Sequence, residues 1–172
     1  LIPLFPLVSF LIIALSGKSL SKTITTFLAP GSILASFIVA LILFASQLSH
    51  PQALTAPLFS WIHVGDFHAD FSLLIDTLSI LFTLVITGVG FLIHVYSTGY
   101  MHDEKDYNRY FAYLNLFVFF MLILVLGDNL LSMFIGWEGV GICSYLLIGF
   151  WFKNINYASA AKKAFVMNRI GD

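Results

Sequence analysis

The sequence predicts an all-α membrane protein, a polytopic transmembrane helix bundle with a small extramembrane β-hairpin. About five spans and the start of a sixth are expected. Three observations predict this. Hydrophobic residues make up 59% of the 172-residue chain and charged residues 10%, against roughly 45–50% and 25% in soluble domains. Mean hydropathy is +0.95. Long apolar runs alternate with short polar links, and the Lys and Arg residues are distributed by link rather than at random. A soluble globule of this size cannot hide so much apolar surface. Disorder needs low hydrophobicity and high charge, so it is excluded too. A formal net charge of −1 leaves no basic field for nucleic acid. The single Cys143 permits no internal disulfide.

The elements follow in order. A helical span needs about 20 mostly apolar residues. Leu1–Leu15 is the first run. It carries no charged leader and no small-residue cleavage site, so it reads as a span rather than a cleaved signal. The chain opens on Leu inside that run and closes on Asp172 inside a helical pattern, which predicts a piece of a longer membrane protein. Ser16–Thr23 is a polar link. Ile24–Leu48 is the second span, with Pro30-Gly31 early in it, at a helix start or a kink.

His50–Asp70 breaks the pattern with Pro51, Pro57 and Gly65. Phe59–Val64 and Phe67–Leu73 flank Gly65-Asp66, which reads as a two-residue hairpin turn. Phe71–Tyr100 is the third span, long enough that its ends should protrude or tilt. Met101–Arg109 is a charged link. Tyr110–Phe152 is almost continuously apolar and would be about 65 Å as one helix, twice the hydrocarbon core. It must fold back, and Gly127-Asp128-Asn129 is the turn. Tyr110–Leu126 and Leu130–Phe152 are thus the fourth and fifth spans. Lys153–Asn156 links to a sixth helix, Tyr157–Asp172. Residues 1–109 form one unit, the first three spans and the hairpin around 59–73. Residues 110–172 start a second, incomplete bundle.

Orientation follows from charge. Lys18, Lys22, Lys105 and Arg109 lie in the first and third links. Lys153, Lys162, Lys163 and Arg169 lie in or after the fifth. With alternating spans all eight fall on one side. The positive-inside rule makes that side cytoplasmic and the N-terminus and hairpin extracytoplasmic.

Glu138 is the sharpest feature. It is the only charged residue between Asp128 and Lys153, ten residues from Asp128, hence about 15 Å along a helix and near mid-membrane. An acid there costs about 2.5–3.5 kcal/mol on insertion scales. Such residues face a bundle interior or a water-filled cavity and mark ion paths. Burial favours the protonated acid, and a nearby cation favours the carboxylate. An acid pushed both ways can take up and release a proton as its partner moves. The plain alternative is a permanently protonated Glu bonded to a neighbouring helix.

Ser132, Gly136, Gly139 and Cys143 form a small-residue stripe that lets another helix approach closely. Tyr145, at i+7 from Glu138, extends a hydrogen-bonded path or is a packing aromatic. Lys162, Phe165, Arg169 and Asp172 share one face of the sixth helix, with Lys163 beside it. Arg169 and Asp172 are three apart and can pair. This polar face should run inward from the cytoplasmic surface. His94, inside the third span, is either a hydrogen-bonded packing residue or a relay member. Asp76 fits an interfacial or helix-N-terminal role. His63, Asp66, His68 and Asp70 have types that suit Zn, but they are strung along an exposed turn, so no metal site is predicted.

The stretches Gly136–Trp151 (GWEGVGICSYLLIGFW) and Lys163–Asp172 (KAFVMNRIGD) resemble a known family. HVYSTGYM at His94–Met101, YFAYLNL at Tyr110–Leu116, DNLL at Asp128–Leu131, VGDF at Val64–Phe67 and LIDTLS at Leu74–Ser79 fit it too. The family is that of subunit L of the proton-translocating NADH–quinone oxidoreductase, the counterpart of chain 5 in mitochondrial complex I. The resemblance implies an antiporter-like, proton-pumping membrane subunit built from two inverted five-helix repeats, in a bacterial or mitochondrial inner membrane. It implies that Glu138 is an essential proton-pathway residue, paired with a Lys on a seventh helix beyond Asp172. Lys163, Arg169 and Asp172 match polar residues typical of the family. It implies other membrane subunits as partners and no cofactor in this chain. FMN, iron–sulfur clusters and quinone belong to the rest of such a complex. Multisubunit Na⁺/H⁺ antiporters share a similar GWE helix and remain the alternative.

Overall fold

The computed structural model describes residues 1–49, 52–65 and 67–171. Six helices and one hairpin follow in order: α1 Leu4–Ser16, α2 Lys22–Ser49, β1 Leu54–Val64, β2 Phe67–Ile75, α3 Thr77–Tyr100, α4 Tyr107–Leu126, α5 Leu130–Ile148 and α6 Ile155–Gly171. A single 3₁₀ turn, Gly17–Ser19, joins α1 to α2. Four helices, α2 to α5, are long and apolar enough to cross a membrane. The chain is an integral membrane protein.

The first helix is shorter than a span. Its 13 residues make about 20 Å, against a hydrocarbon core of about 30 Å. Ser36 Oγ donates to the Ile2 carbonyl at 2.8 Å, so α1 begins level with the middle of α2. The second helix runs unbroken through Pro30, which is buried in its interior. Proline removes the N–H that would meet the Thr26 carbonyl. Packing holds the helix there: Thr26 Oγ1 lies 2.8 Å from the Tyr107 hydroxyl.

The third helix starts at Thr77, six residues later than the apolar run suggests. Phe71–Ile75 instead continue β2, paired with β1. The stop is chemical. Asp76 is the N-cap, its carboxylate accepting from the Ser79 backbone at 2.7 Å, and the Ser79 hydroxyl accepts from the Asp76 backbone at 2.9 Å. This reciprocal box satisfies two orphan N–H groups and sets the helix start. The Ser79 backbone N–H, then its hydroxyl, hold the Asp76 carboxyl below its ordinary value of 3.8. A carboxyl lowered on folding contributes stability above its unfolded value and loses it as pH falls through the lower folded value. D76A should therefore cost about 1 kcal/mol in a thermal melt near neutral pH. Its difference from wild type should vanish in acid below the ordinary carboxylate range.

The hairpin turn falls as expected, with Val64 opposite Phe67 and Gly65 at φ +58°, the left-handed region that glycine enters freely. Register slips between Pro57 and Phe59 and between Ser60 and Ile62 mark two bulges. The first adjoins Pro57, which cannot donate to a ladder. Phe59 and Phe71 stack across the strands with centroids 5.3 Å apart. Asp66 lies outside the described residues.

The two ends of the bundle are chemically distinct. At one end Lys22 Nζ donates to the carbonyls of His102 and Glu104, both at 2.9 Å. There Asn108 Nδ2 donates to the carbonyls of Gly17 and Leu20, and Arg109 donates to that of Phe150. At the other end the hairpin closes on the α4–α5 turn. Ser72 Oγ donates to Asp128 at 2.8 Å, and Asn129 Nδ2 to the Asp70 carbonyl at 2.7 Å. The links thus sort to alternate ends, as alternating helices require.

The fourth helix is the packing centre. Its buried face, Phe111, Asn115, Val118, Leu122 and Leu126, meets α1, α2, α3 and α5. It begins at Tyr107, ahead of the expected Tyr110, because Tyr107 and Asn108 are tied to Thr26 and Thr25 of α2. The fifth helix ends at Ile148 rather than Phe152. Gly149 closes it, and the chain turns so that Phe150 is buried against Tyr110, edge to face at 5.5 Å.

Candidate functional site

Two stripes of α5 divide its work. Ser132, Gly136, Gly139 and Cys143 are all buried. A Cβ on Gly136 would collide with the Leu124 backbone, and one on Gly139 with the Phe120 ring. This stripe is where α4 and α5 touch most closely, as the small residues predict. The other stripe, Glu138, Gly141 and Tyr145, faces α6.

The antiparallel α6 answers it turn by turn. The Tyr145 and Phe165 rings lie 5.6 Å apart, tilted by 57°. Asn168 sits over Gly141. At the deepest turn Arg169 forms an ion pair with Glu138, Nη1 to Oε2. Arg169 also lies over the Phe165 ring, 5.0 Å from its centroid. That cation–π contact holds the guanidinium on its second side. The Glu138 side chain is 15% exposed and that of Arg169 41%. The acid is thus mostly covered, while its partner keeps an open flank.

Glu138 is the ninth of 19 residues in α5 and Arg169 the fifteenth of 17 in α6. Arg169 is therefore carried about 21 Å from the α6 start, far deeper than the other basic residues. Salt-bridge chemistry here is simple. A guanidinium stays charged at any working pH, so the carboxylate is the member that can gain or lose a proton.

The structure brings Glu138, Tyr145 and Arg169 to one helix–helix groove. It does not bring Lys163 there. Lys162 and Lys163 are both exposed, and the positions facing α5 on those turns are Ala161 and Phe165. Asp172 lies outside the described residues. His94 is fully buried on α3, and α4 separates it from α5, because α3 and α5 make no contact among the described residues. His94 therefore makes no direct contact with the Glu138 groove among the described residues. Sequence reasoning missed the Glu138–Arg169 pairing. The signal was present in two isolated opposite charges at similar depth on consecutive helices. It also passed over Asn115, a lone amide in an apolar run that proves fully buried.

Beside the groove, at the basic end, a cavity of about 220 Å³ opens between α4, α5 and α6, lined by Arg109, Tyr113, Tyr145 and Phe150 among others. Tyr145 borders both this cavity and the turn below Glu138.

Two family models match the chain and together cover more than half of it. One, NADH-ubiquinone oxidoreductase (complex I) chain 5 N-terminus, matches residues 61–111. The other, the transmembrane model of NADH:quinone oxidoreductase and Mrp antiporters, matches residues 127–172. NADH-quinone oxidoreductase subunit L of Escherichia coli is 46% identical over 98% of the chain. That of Pseudomonas aeruginosa is 47% identical over 98%, and that of Mycobacterium tuberculosis 52% identical over 81%. The chain spans 28%, 28% and 22% of those relatives' lengths. A chain of the membrane-bound sulfane sulfur reductase, an archaeal respiratory membrane complex, shares the fold with a TM-score of 0.81. It is 22% identical, and the match covers 99% of this chain and 34% of that one. On these likenesses, the chain belongs to the NADH-quinone oxidoreductase subunit L family, the chain 5 family of complex I.

Proposed function

We propose that the chain forms part of an antiporter-like subunit that carries protons in a membrane NADH–quinone oxidoreductase. NADH oxidation and quinone reduction take place on other subunits, which hold FMN, iron–sulfur clusters and quinone. The observation that carries the reading is the Glu138–Arg169 pair between α5 and α6. Charge moving elsewhere in the complex shifts Arg169 relative to Glu138. Relative movement of these two side chains is the coupling step proposed between that charge and proton transfer at Glu138. Tyr145 and the cavity beside it supply the approach from the basic end. The family relationship supports an inner-membrane location. The clustering of basic links supports a cytoplasmic face there and an extracytoplasmic N-terminus. Residues 110–172 form the start of the translocation bundle. Lys163 and Asp172 stay candidate members of the polar path on the strength of the KAFVMNRIGD motif.

A second reading has its own support, because the model matching residues 127–172 also describes Mrp antiporters. In that reading Glu138 exchanges a proton against Na⁺. NADH-driven acidification of inverted membrane vesicles carrying the full-length protein separates the two. The proposal predicts acidification on NADH addition with or without Na⁺. Acidification that needs a Na⁺ gradient and ignores NADH would establish the antiporter.

A further inference from the structure

His94 is fully buried on α3 and takes no part in the Glu138 groove. Its Nδ1 lies 2.7 Å from the Gly90 carbonyl oxygen. A carbonyl only accepts, so Nδ1 carries the proton. In the neutral ring Nε2 is then a bare lone pair. That atom is buried and has no hydrogen-bond partner. Buried orphans are rare enough in native proteins to call for a partner.

Asn115 of α4 presents its side chain to the ring within hydrogen-bonding reach, itself fully buried. Its Nδ2 donates to the Phe111 carbonyl at 3.2 Å and to Ser9 Oγ at 3.3 Å. Its Oδ1 accepts from Ser32 Oγ at 3.1 Å. Both amide hydrogens are committed, so Asn115 has no donor left for His94. Turning the amide over would set its oxygen against the Phe111 carbonyl, so the network assigns the present orientation. What remains is an imidazole lone pair and the second lone pair of Oδ1. Both need a donor, and among the described residues no side chain supplies one.

We propose that one buried water donates to His94 Nε2 and to Asn115 Oδ1, making this junction of α1, α2, α3 and α4 a hydrated site. A water has two hydrogens, and a buried one needs at least two polar partners. Among the described residues the site offers two acceptors and no competing donor. It holds an exchangeable proton carrier across α4 from the Glu138–Arg169 pair and does not depend on that pair's role.

The test uses the full-length chain in its assembled complex. A cryo-electron microscopy map that resolves ordered waters should show a peak about 2.6–3.2 Å from both atoms. The peak should be lost in H94F, while Asn115 keeps its bonds to Ser9 and Ser32. Nitrogen-15 spectra of the histidine-labelled complex should assign His94 one protonated ring nitrogen, Nδ1, and one unprotonated, Nε2. A map with Nε2 in direct contact with Oδ1 and no peak would overturn the proposal. So would a spectrum with both ring nitrogens protonated. Should H94F fail to assemble, the wild-type map and spectrum decide alone.

Discussion

E138Q in the full-length protein should lower proton translocation about a hundredfold or more, the scale on which a positioned acid–base group contributes to proton transfer. Gln is nearly isosteric and can still accept a hydrogen bond from Arg169, so α5 and α6 should stay docked. What is lost is the one group in the pair that can exchange a proton. Assembly should be near normal while NADH oxidation runs uncoupled or slows with pumping. R169Q is predicted to behave differently. It strands a mostly covered carboxylate, and breaking a buried pair from one side costs about 3–5 kcal/mol. Lower yield of assembled complex is therefore expected for R169Q. The double variant E138Q/R169Q should recover the yield and not the pumping. Pumping in the double variant at the wild-type level would remove the pair from the proton path.

The second large effect is steric. G136A should destabilise the α4–α5 contact, even though Ala is the better helix former by about 1 kcal/mol. A Cβ there strikes the backbone of Leu124, which no rotamer change relieves. Overpacking of this kind costs about 1–3 kcal/mol, enough to outweigh the propensity gain. G31A is the matched control. Gly31 lies inside α2, and a methyl added there would find nothing within 4 Å. Only the propensity gain remains, so that variant should be the more stable. Thermal melts of the two purified variants against wild type check both signs.

Much of this architecture was legible in the sequence, and the reasons are specific. Hydropathy located α2 through α5 because lipid leaves a helix no other way to satisfy its backbone. Gly127-Asp128-Asn129 was readable as the fold-back because a 43-residue apolar run exceeds the bilayer, and Asn129 caps α5 through the Ser132 N–H at 2.9 Å. The Gly65 turn was readable because a hairpin needs left-handed φ. The start of α3 was not, because Phe71–Ile75 are as apolar as a span, and only the Asp76–Ser79 box separates strand from helix. The apolar character of α1 was legible by composition, and its seat beside Ser36 is a tertiary fact.

At the site, Glu138 stood out because isolated acids in apolar runs are costly. Its partner did not, because Arg169 had a sequence neighbour, Asp172, at pairing distance along its own helix. The pair with Glu138 is set by interhelical geometry, and no periodicity reveals it. Lys163, read as lying beside that face, is exposed, with Ala161 and Phe165 in the α5-facing positions.

The central claim is that Glu138 changes protonation as the complex works. Isotope-edited infrared difference spectroscopy during NADH-driven turnover reads this directly, on complex labelled at glutamate. A protonated-carboxyl band that rises and falls with turnover in wild type and is missing in E138Q is the predicted result. A wild-type complex that pumps protons with no change in that band would contradict it.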